Sequence, residues 1–351
     1  MMQSLQVKRD DNGLAIYIPE TVNFPIKVYY GANNFAENES NYIEFTENGW
    51  QNFADPISKE RLYFKTRVNS EIFVGAERRL PLKNLYNCRD MGGYLTKEGR
   101  LTSWGKVFRS DALHQIDDVG QAYIERMGVK RIIDFRSPEE IAKDPNKSIL
   151  TSKSFNFNPH ADVAQQASTQ SVSKKDEDKI IQLEKMVKTE AGRAQLIKNR
   201  NVMIKQMEQL VVGENAIKAY KQFFEILLQN SVTPLIFHCQ GGKDRTGWAA
   251  ALYLGALGVG KEQIYQDYLL TDKMNAPRNA KRMAIYKKYT DNEDVLAFLA
   301  SLQQTKKDYL DGAYTTVEEH YGTLEKYLKE VLEIEASQLE VLRNKYLYPV
   351  E

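Results

Sequence analysis

The stretch HCQGGKDRTG, His238 to Gly247, gathers the residue types most capable of chemistry in this chain. Gly241 and Gly242 let the backbone curl so that its N–H groups, from Gln240 onward, face inward. A ring of N–H groups at a helix N-terminus is an anion site. Cys239 lies at the base of that ring. The same field lowers a thiol's pKa, so Cys239 is expected to be a thiolate at neutral pH. Five residues separate it from Arg245. Closing the loop brings that guanidinium above the sulfur, where it can hold two oxygens of a tetrahedral dianion.

A thiolate beneath a bound phosphate is a nucleophile in line with phosphorus. The expected reaction is phosphoryl transfer to Cys239, then hydrolysis. The N–H ring and Arg245 would stabilise charge on the equatorial oxygens. Thr246 can donate a hydrogen bond to the sulfur and stabilise it as the second leaving group. His238 is expected to orient the loop without touching substrate. The nucleotide-binding pattern G-x-x-x-x-G-K-[ST] is absent, so this is a different kind of phosphate loop.

The elements around the loop must present it. PLIF before it reads as a buried strand, and GWAAALYLGALG after it as a helix that packs closely on a sheet. VKRIIDF, residues 129–135, is a second short apolar run, preceded by the helical DDVGQAYIERMG and followed by EEIAKDP. AIKAYKQFFEILLQN is an amphipathic helix leading into PLIF. Strands and helices in alternation predict an α/β core with a mainly parallel sheet. Residues 1–80 differ: LAIYIP, FPIKVYYG, YIEFTE, RLYFKTRV and EIFVGAE are β-rich runs separated by turn residues. They predict a small all-β sandwich or sheet, serving either as an accessory layer or as a docking module for a partner or substrate. Residues 174–212 are charged and helical with one apolar face. The excursion around 165–212 is either solvated helix or a lid over the site. The C-terminal third, from KEQIYQDYLLT at residue 261 toward 351, is helical.

The totals narrow the function further. The chain has 351 residues, 42% hydrophobic and 27% charged, and a net charge of +1. No global field draws it to nucleic acid or anionic membranes, so an acidic substrate must be caught locally. Two cysteines, Cys88 and Cys239, make no disulfide framework. No apolar run approaches the ~20 residues of a membrane span, and the N-terminus lacks a signal-peptide core. A cytoplasmic location is expected, with export after signal removal as the alternative. No His/Cys/carboxylate cluster suggests a metal, and no cofactor is called for.

HCQGGKDRTG resembles the signature of the protein tyrosine phosphatase superfamily. Its Lys-Asp pair resembles the bacterial branch of tyrosine phosphatase B-like and lipid phosphatase A-like enzymes. NCRDMGGYLTKEGRLTSWGKVFRSDAL, GVKRIIDFRSPEE and YLDGAYTTVEEHYGTLEKYL resemble further segments of that branch, so the likeness runs over about residues 80–345. It implies a tyrosine/dual-specificity phosphatase-like fold and metal-free hydrolysis of phosphomonoesters. The implied substrates are phosphotyrosine proteins with dual specificity or, alternatively, phosphoinositides or inositol phosphates. It also implies that Lys243 binds a phosphate, such as a second one on an inositol ring. A catalytically silent phosphate-binding module is the remote alternative, and its usual mark, loss of the Cys or Arg, is missing here.

The leaving oxygen needs a proton, and two carboxyls compete to supply it. Asp162 lies where the resemblance places an acid-bearing loop, although PHADV stands where proline-aspartate is usual. Asp244 lies in the phosphate loop itself; His160 is a third, weaker option. Arg89 and Asp90 are expected to pair and brace the loop, and Gly92 and Gly93 to form a tight turn. Arg136 either contacts substrate or holds a structural carboxylate. Asp111, Asp134, His114 and His320 read as structural. Cys88 is either a small buried residue or a redox partner of Cys239.

Overall fold

The computed structural model describes residues 2–10, 13–19, 22–32, 41–56, 60–69, 71–160 and 174–349. Eight strands come first: β1 (Met2–Ser4), β2 (Val7–Asp10), β3 (Gly13–Ile18), β4 (Ile26–Gly31), β5 (Tyr42–Phe45), β6 (Gly49–Phe53), β7 (Tyr63–Val68) and β8 (Glu71–Ala76). They form a five-stranded sheet, β1-β8-β7-β4-β5, and a three-stranded sheet, β2-β3-β6. Leu14, Ile16 and Ile18 of β3 and Val28 and Phe64 of the larger sheet share one buried cluster, so the two sheets enclose a core.

The second core is a five-stranded sheet, β12-β11-β13-β10-β9. Its strands are β9 (Arg89–Asp90), β10 (Val107–Ser110), β11 (Arg131–Asp134), β12 (Lys153–Asn156) and β13 (Leu235–His238). All its pairings are parallel except the edge strand β9 against β10. β13 is central, buried along its whole length, and ends at the residue before Cys239. Active sites of open α/β sheets form at this carboxyl edge.

The helices are α1 (Asp118–Arg126), α2 (Pro138–Lys143), α3 (Lys174–Val187), α4 (Glu190–Lys198), α5 (Val202–Val212), α6 (Glu214–Leu228), α7 (Asp244–Ala256), α8 (Lys261–Tyr286), α9 (Glu293–Ser301), α10 (Lys307–Tyr321) and α11 (Ala336–Tyr346). Nearly every residue of α7 is buried, and its small residues let it approach its neighbours closely. Gly247 illustrates this: a Cβ there would meet the Tyr268 ring at 2.6 Å. The charged stretch from 174 divides in two. Met203, Met207, Leu210 and Val211 of α5 belong to the main core. Ile180 and Leu183 of α3 and Leu196 of α4 instead pack with Tyr286, Val295 and Leu299 of α8 and α9. None of these helices is merely solvated. No helix among the described residues is long and apolar enough to cross a membrane.

The β-rich layer is fastened to the α/β core. Tyr63, Ile72 and Val74 share a buried cluster with Leu101, Trp104 and Tyr348. Arg61, 4% exposed, donates to Asp90 at 2.7 Å and to the Glu77 carbonyl at 2.9 Å. Asp90 also accepts from the N–H groups of Gly92 and Gly105, both at 2.8 Å. The expected Arg89–Asp90 pair is therefore not made. The two are consecutive residues of one strand, so their side chains leave on opposite faces. Asp90 turns to the β layer and Arg89 to α8.

Replacing Arg61 by Met keeps the packing volume but removes the charge beside buried Asp90. We expect a loss of about 3 kcal/mol in urea unfolding. A loss below ~1 kcal/mol would mean the β layer does not brace this edge.

Candidate active site

The loop from Cys239 to Arg245 is held by its carbonyls. The Cys239 carbonyl accepts from His238 Nδ1 at 3.0 Å, and the Gln240 carbonyl from the Ala112 N–H at 3.2 Å. The Gly241 carbonyl accepts from Asn87 Nδ2 and Asn275 Nδ2, each at 3.2 Å. The Gly242 carbonyl accepts from Asn87 Nδ2 and Arg109 Nη2, each at 2.8 Å. Tying four successive carbonyls to the surrounding scaffold turns the opposite, N–H side of the loop to the interior. Gly242 has φ +63°, and a Cβ there would lie 2.4 Å from the Ser110 carbonyl oxygen. Both the backbone angle and the space require glycine.

One stripe of α8 supplies much of the scaffold. Asp267, Thr271, Asn275, Arg278 and Arg282 recur every three or four residues, on one helix face. Asp267 accepts from Arg89 Nε at 2.9 Å, Arg109 Nη1 at 2.5 Å and Tyr94 Oη at 2.9 Å. Burial alone would raise its pKa; the charges of Arg89 and Arg109 outweigh this and hold the carboxyl below its ordinary range. Arg89 also donates to Asn87 Oδ1, so Asn87 carries the arginine's constraint to the loop.

Arg245 is almost fully buried. Its Nη1 and Nη2 donate to Glu140 at 2.6 and 2.9 Å, a forked pair. Burial opposes its charge, but the Glu140 contacts prevail and keep it protonated. Glu140 is itself fixed. It closes a capping box at the start of α2, accepting from the Ser137 N–H at 2.9 Å while Ser137 Oγ accepts from the Glu140 N–H. Arg245 Nε is buried with no partner among the described residues. The fork fixes the guanidinium and leaves the Nε–H and the second Nη2 hydrogen for a ligand.

His238 sits in a second network. A carbonyl can only accept, so Nδ1 carries the proton it donates to Cys239. The bare Nε2 then accepts from Asn146 Nδ2 at 2.9 Å. Asn146 Nδ2 also donates to Asp134 at 3.1 Å, while its Oδ1 accepts from the Leu113 N–H at 3.0 Å and Arg136 at 2.9 Å. Each end of the amide faces the partners it needs, which fixes its orientation. Burial lowers the pKa of His238, only partly countered by Asp134, and favours the neutral ring.

Arg136 is part of this network rather than of the cavity. It is fully buried and grips Asp134 with Nε and Nη2, and it reaches the Asp144 carbonyl at 2.7 Å and Gln240 Oε1 at 3.3 Å. Asp134 and Arg136 lie two apart at a strand end, so they share a face. In this geometry Arg136 holds a structural carboxylate and does not line the cavity beside Cys239. The expected hydrogen bond from Thr246 to the sulfur is also not made: Thr246 Oγ1 is buried without a partner among the described residues. Cys88 is fully buried among Leu80, Leu85 and Phe108, and burial pushes its thiol up to about 12. It is an unreactive core residue in this setting.

Cys239, Gln240, Gly241, Lys243, Asp244 and Arg245 line one cavity of about 260 Å³. Lys243 Nζ lies 3.0 Å from Asp244 Oδ2, without the alignment of a hydrogen bond. Asp244 Oδ1 is buried and unpartnered among the described residues. Asp162 lies outside the described residues. His160 has φ +53° and donates its N–H to Asn158 Oδ1. His114, expected to be structural, reaches the cavity wall, as do Tyr86, Arg278 and Arg282. Sequence reading missed Glu140, Asn146, Asp267 and Arg278. The SPEE capping box and the α8 spacing were the available signals for Glu140 and the α8 residues; nothing local marks Asn146.

The tyrosine phosphatase family profile matches residues 80–348. A Cupriavidus necator protein named as a candidate tyrosine-protein phosphatase is 27% identical over 272 residues, covering 76% of this chain and 88% of that protein. The triple specificity protein phosphatase PtpB of Mycobacterium tuberculosis is 26% identical over 237 residues, covering 64% and 85%. The match spans the sheet, the Cys239–Arg245 loop and the helices that hold it, and on that footing the chain is a member of the tyrosine phosphatase family.

Proposed function

We propose that the protein hydrolyses phosphomonoesters through a phosphocysteine at Cys239, with phosphotyrosine proteins as main substrates and phosphoserine or phosphothreonine as secondary ones. The carrying observation is the loop itself: carbonyls bound outward, a cysteine at its base, and a fixed arginine with an unpartnered Nε. In the first step the Cys239 sulfur attacks phosphorus and the ester oxygen leaves with a proton. The loop N–H groups and Arg245 hold the equatorial oxygens. In the second step water attacks the phosphocysteine, inorganic phosphate departs, and the sulfur regains its electron pair. No metal takes part in either step, so a chelator should leave the rate unchanged.

Asp244 is a carboxylate with a buried, unpartnered oxygen in the cavity, which supports it as the group that handles the proton. Asp162 is the rival. The acid is needed most when the leaving group is poor. Changing the true acid to Asn should lower kcat on a phosphotyrosine peptide by roughly 100-fold or more, and by much less on p-nitrophenyl phosphate, whose phenolate leaves without a proton. Asp244→Asn and Asp162→Asn measured side by side assign the role. Equal losses on both substrates would deny it to the residue changed.

Lys243 favours a second reading, phosphoinositide hydrolysis, because its buried ammonium has no aligned hydrogen-bond partner and lines the cavity. Phosphate release from a phosphotyrosine peptide, a phosphoserine peptide and a set of phosphoinositides, with Cys239→Ser as blank, tests the choice. A lead for the phosphotyrosine peptide of ~100-fold in kcat/KM, about 2.7 kcal/mol, supports the first reading. A lead for a phosphoinositide replaces it. The β layer is proposed as a brace for the core, and α3 and α4 as a fixed wall beside the cavity.

A further inference from the structure

The cations around the cavity are not equivalent. Arg245 is offset by Glu140 and Lys243 stands against Asp244. Arg278 differs: among the described residues no carboxylate lies within ion-pair distance, and its hydrogen bond is a long one, 3.4 Å, to Asn279 Oδ1. Asp111, Cys239 and Tyr86 are the acidic groups that face it, and Arg282 is a like charge beside it. Asp111 is already engaged by the Tyr86 and Asn87 N–H groups at 3.0 and 3.1 Å. Arg278 is part-buried, and partial desolvation together with the neighbouring Arg282 charge, opposed only in part by Asp111, holds its guanidinium below the usual arginine range.

Its position is specific. The two terminal nitrogens of Arg278 lie 3.0 and 3.2 Å from the point a Cβ on Gly241 would occupy, with the central carbon further off at 3.6 Å. The fork therefore faces the phosphate loop end on. Gly241 has no side chain, and that is what lets a guanidinium come against the loop there. One turn further along α8, Arg282 lines the same cavity.

We propose that Arg278 is a second arginine of the catalytic site, donating to a non-bridging oxygen of the phosphoryl group from the Gly241 side of the loop. It supplies the positive charge that no carboxylate neutralises. Arg245 fixes geometry; Arg278 supplies net attraction for the dianion. This rests on the phosphocysteine reading, but anion binding can be measured apart from turnover.

The test is the affinity of Cys239→Ser protein for inorganic phosphate by calorimetry, alone and combined with Arg278→Met or Arg278→Lys. Loss of a charge-assisted contact should weaken phosphate roughly 30-fold in Arg278→Met. Arg278→Lys, which keeps charge and loses the fork, should fall between. In the otherwise native protein, kcat/KM for p-nitrophenyl phosphate should fall in step. Gly241→Ala supplies an independent measure if Arg278→Met does not fold: its methyl displaces the fork and should weaken phosphate in the same direction. A folded Arg278→Met protein that binds phosphate within twofold of its parent overturns the proposal. So does a loss confined to large substrates, which would make Arg278 a contact for the substrate body. If the native protein hydrolyses nothing, the functional reading fails while the phosphate affinities still decide Arg278.

Discussion

Asp267→Asn should cost about 3–5 kcal/mol of folding stability, the range expected when a buried ion cluster loses the anion that pairs its cations. Arg89 and Arg109 are both fully buried and both grip this carboxylate. An amide of the same shape leaves two guanidinium charges without compensation. The damage should reach the active site, because Arg109 donates to the Gly242 carbonyl and Arg89 to Asn87, which holds the same loop. The pH dependence has a definite sign. The folded carboxyl titrates below the ordinary 3.8, so its contribution is present above that value. It is lost only as pH falls through the lower, folded value. The gap between native and Asp267→Asn protein should therefore stay constant from pH 8 to pH 5 and close only below about pH 4. Urea unfolding across that range measures it. A gap that already narrows between pH 7 and 5 would assign the stabilisation to another group.

Arg245→Lys should lower kcat/KM on p-nitrophenyl phosphate by ~10³-fold, about 4 kcal/mol. The charge is kept, so a purely Coulombic role would lose little. What is lost is the division of labour within one planar group: Nη1 and Nη2 on Glu140, and Nε left for the phosphoryl oxygens. A lysine ammonium cannot keep both the fork and a third, fixed N–H. Steady-state kinetics on both proteins measure the effect, with phosphate affinity showing how much arises in the ground state. A loss under ~10-fold would mean that charge, not geometry, is what Arg245 supplies.

The loop was legible because its parts are contiguous. Strand, cysteine, glycines, arginine and helix follow one another within residues 234–258, and local rules suffice to fold them. The mainly parallel sheet followed from alternation, and the β-rich start from residue type. What the sequence hid lies at long range. Glu140 and Arg245 are 105 positions apart, and Arg109 and Asp267 158. No local pattern joins them. Arg89 and Asp90 show the opposite error: neighbours in sequence were paired although strand geometry sends them to opposite faces. Arg136 was drawn toward substrate by its place at a strand end, but its two-residue spacing from Asp134 turned it back into the scaffold. Arg278 could have been suspected from the Asp267-to-Arg282 stripe, which needed a partner surface on one face of α8.

The most direct test of the central claim is a trapped intermediate. Native protein is mixed with p-nitrophenyl phosphate, quenched in acid within one turnover, digested and mapped by mass spectrometry. A phosphoryl group on the peptide that carries Cys239, absent in Cys239→Ser protein that has also lost turnover, is the predicted result. Full turnover with Cys239 never modified, or activity retained in Cys239→Ser, would contradict a phosphocysteine mechanism.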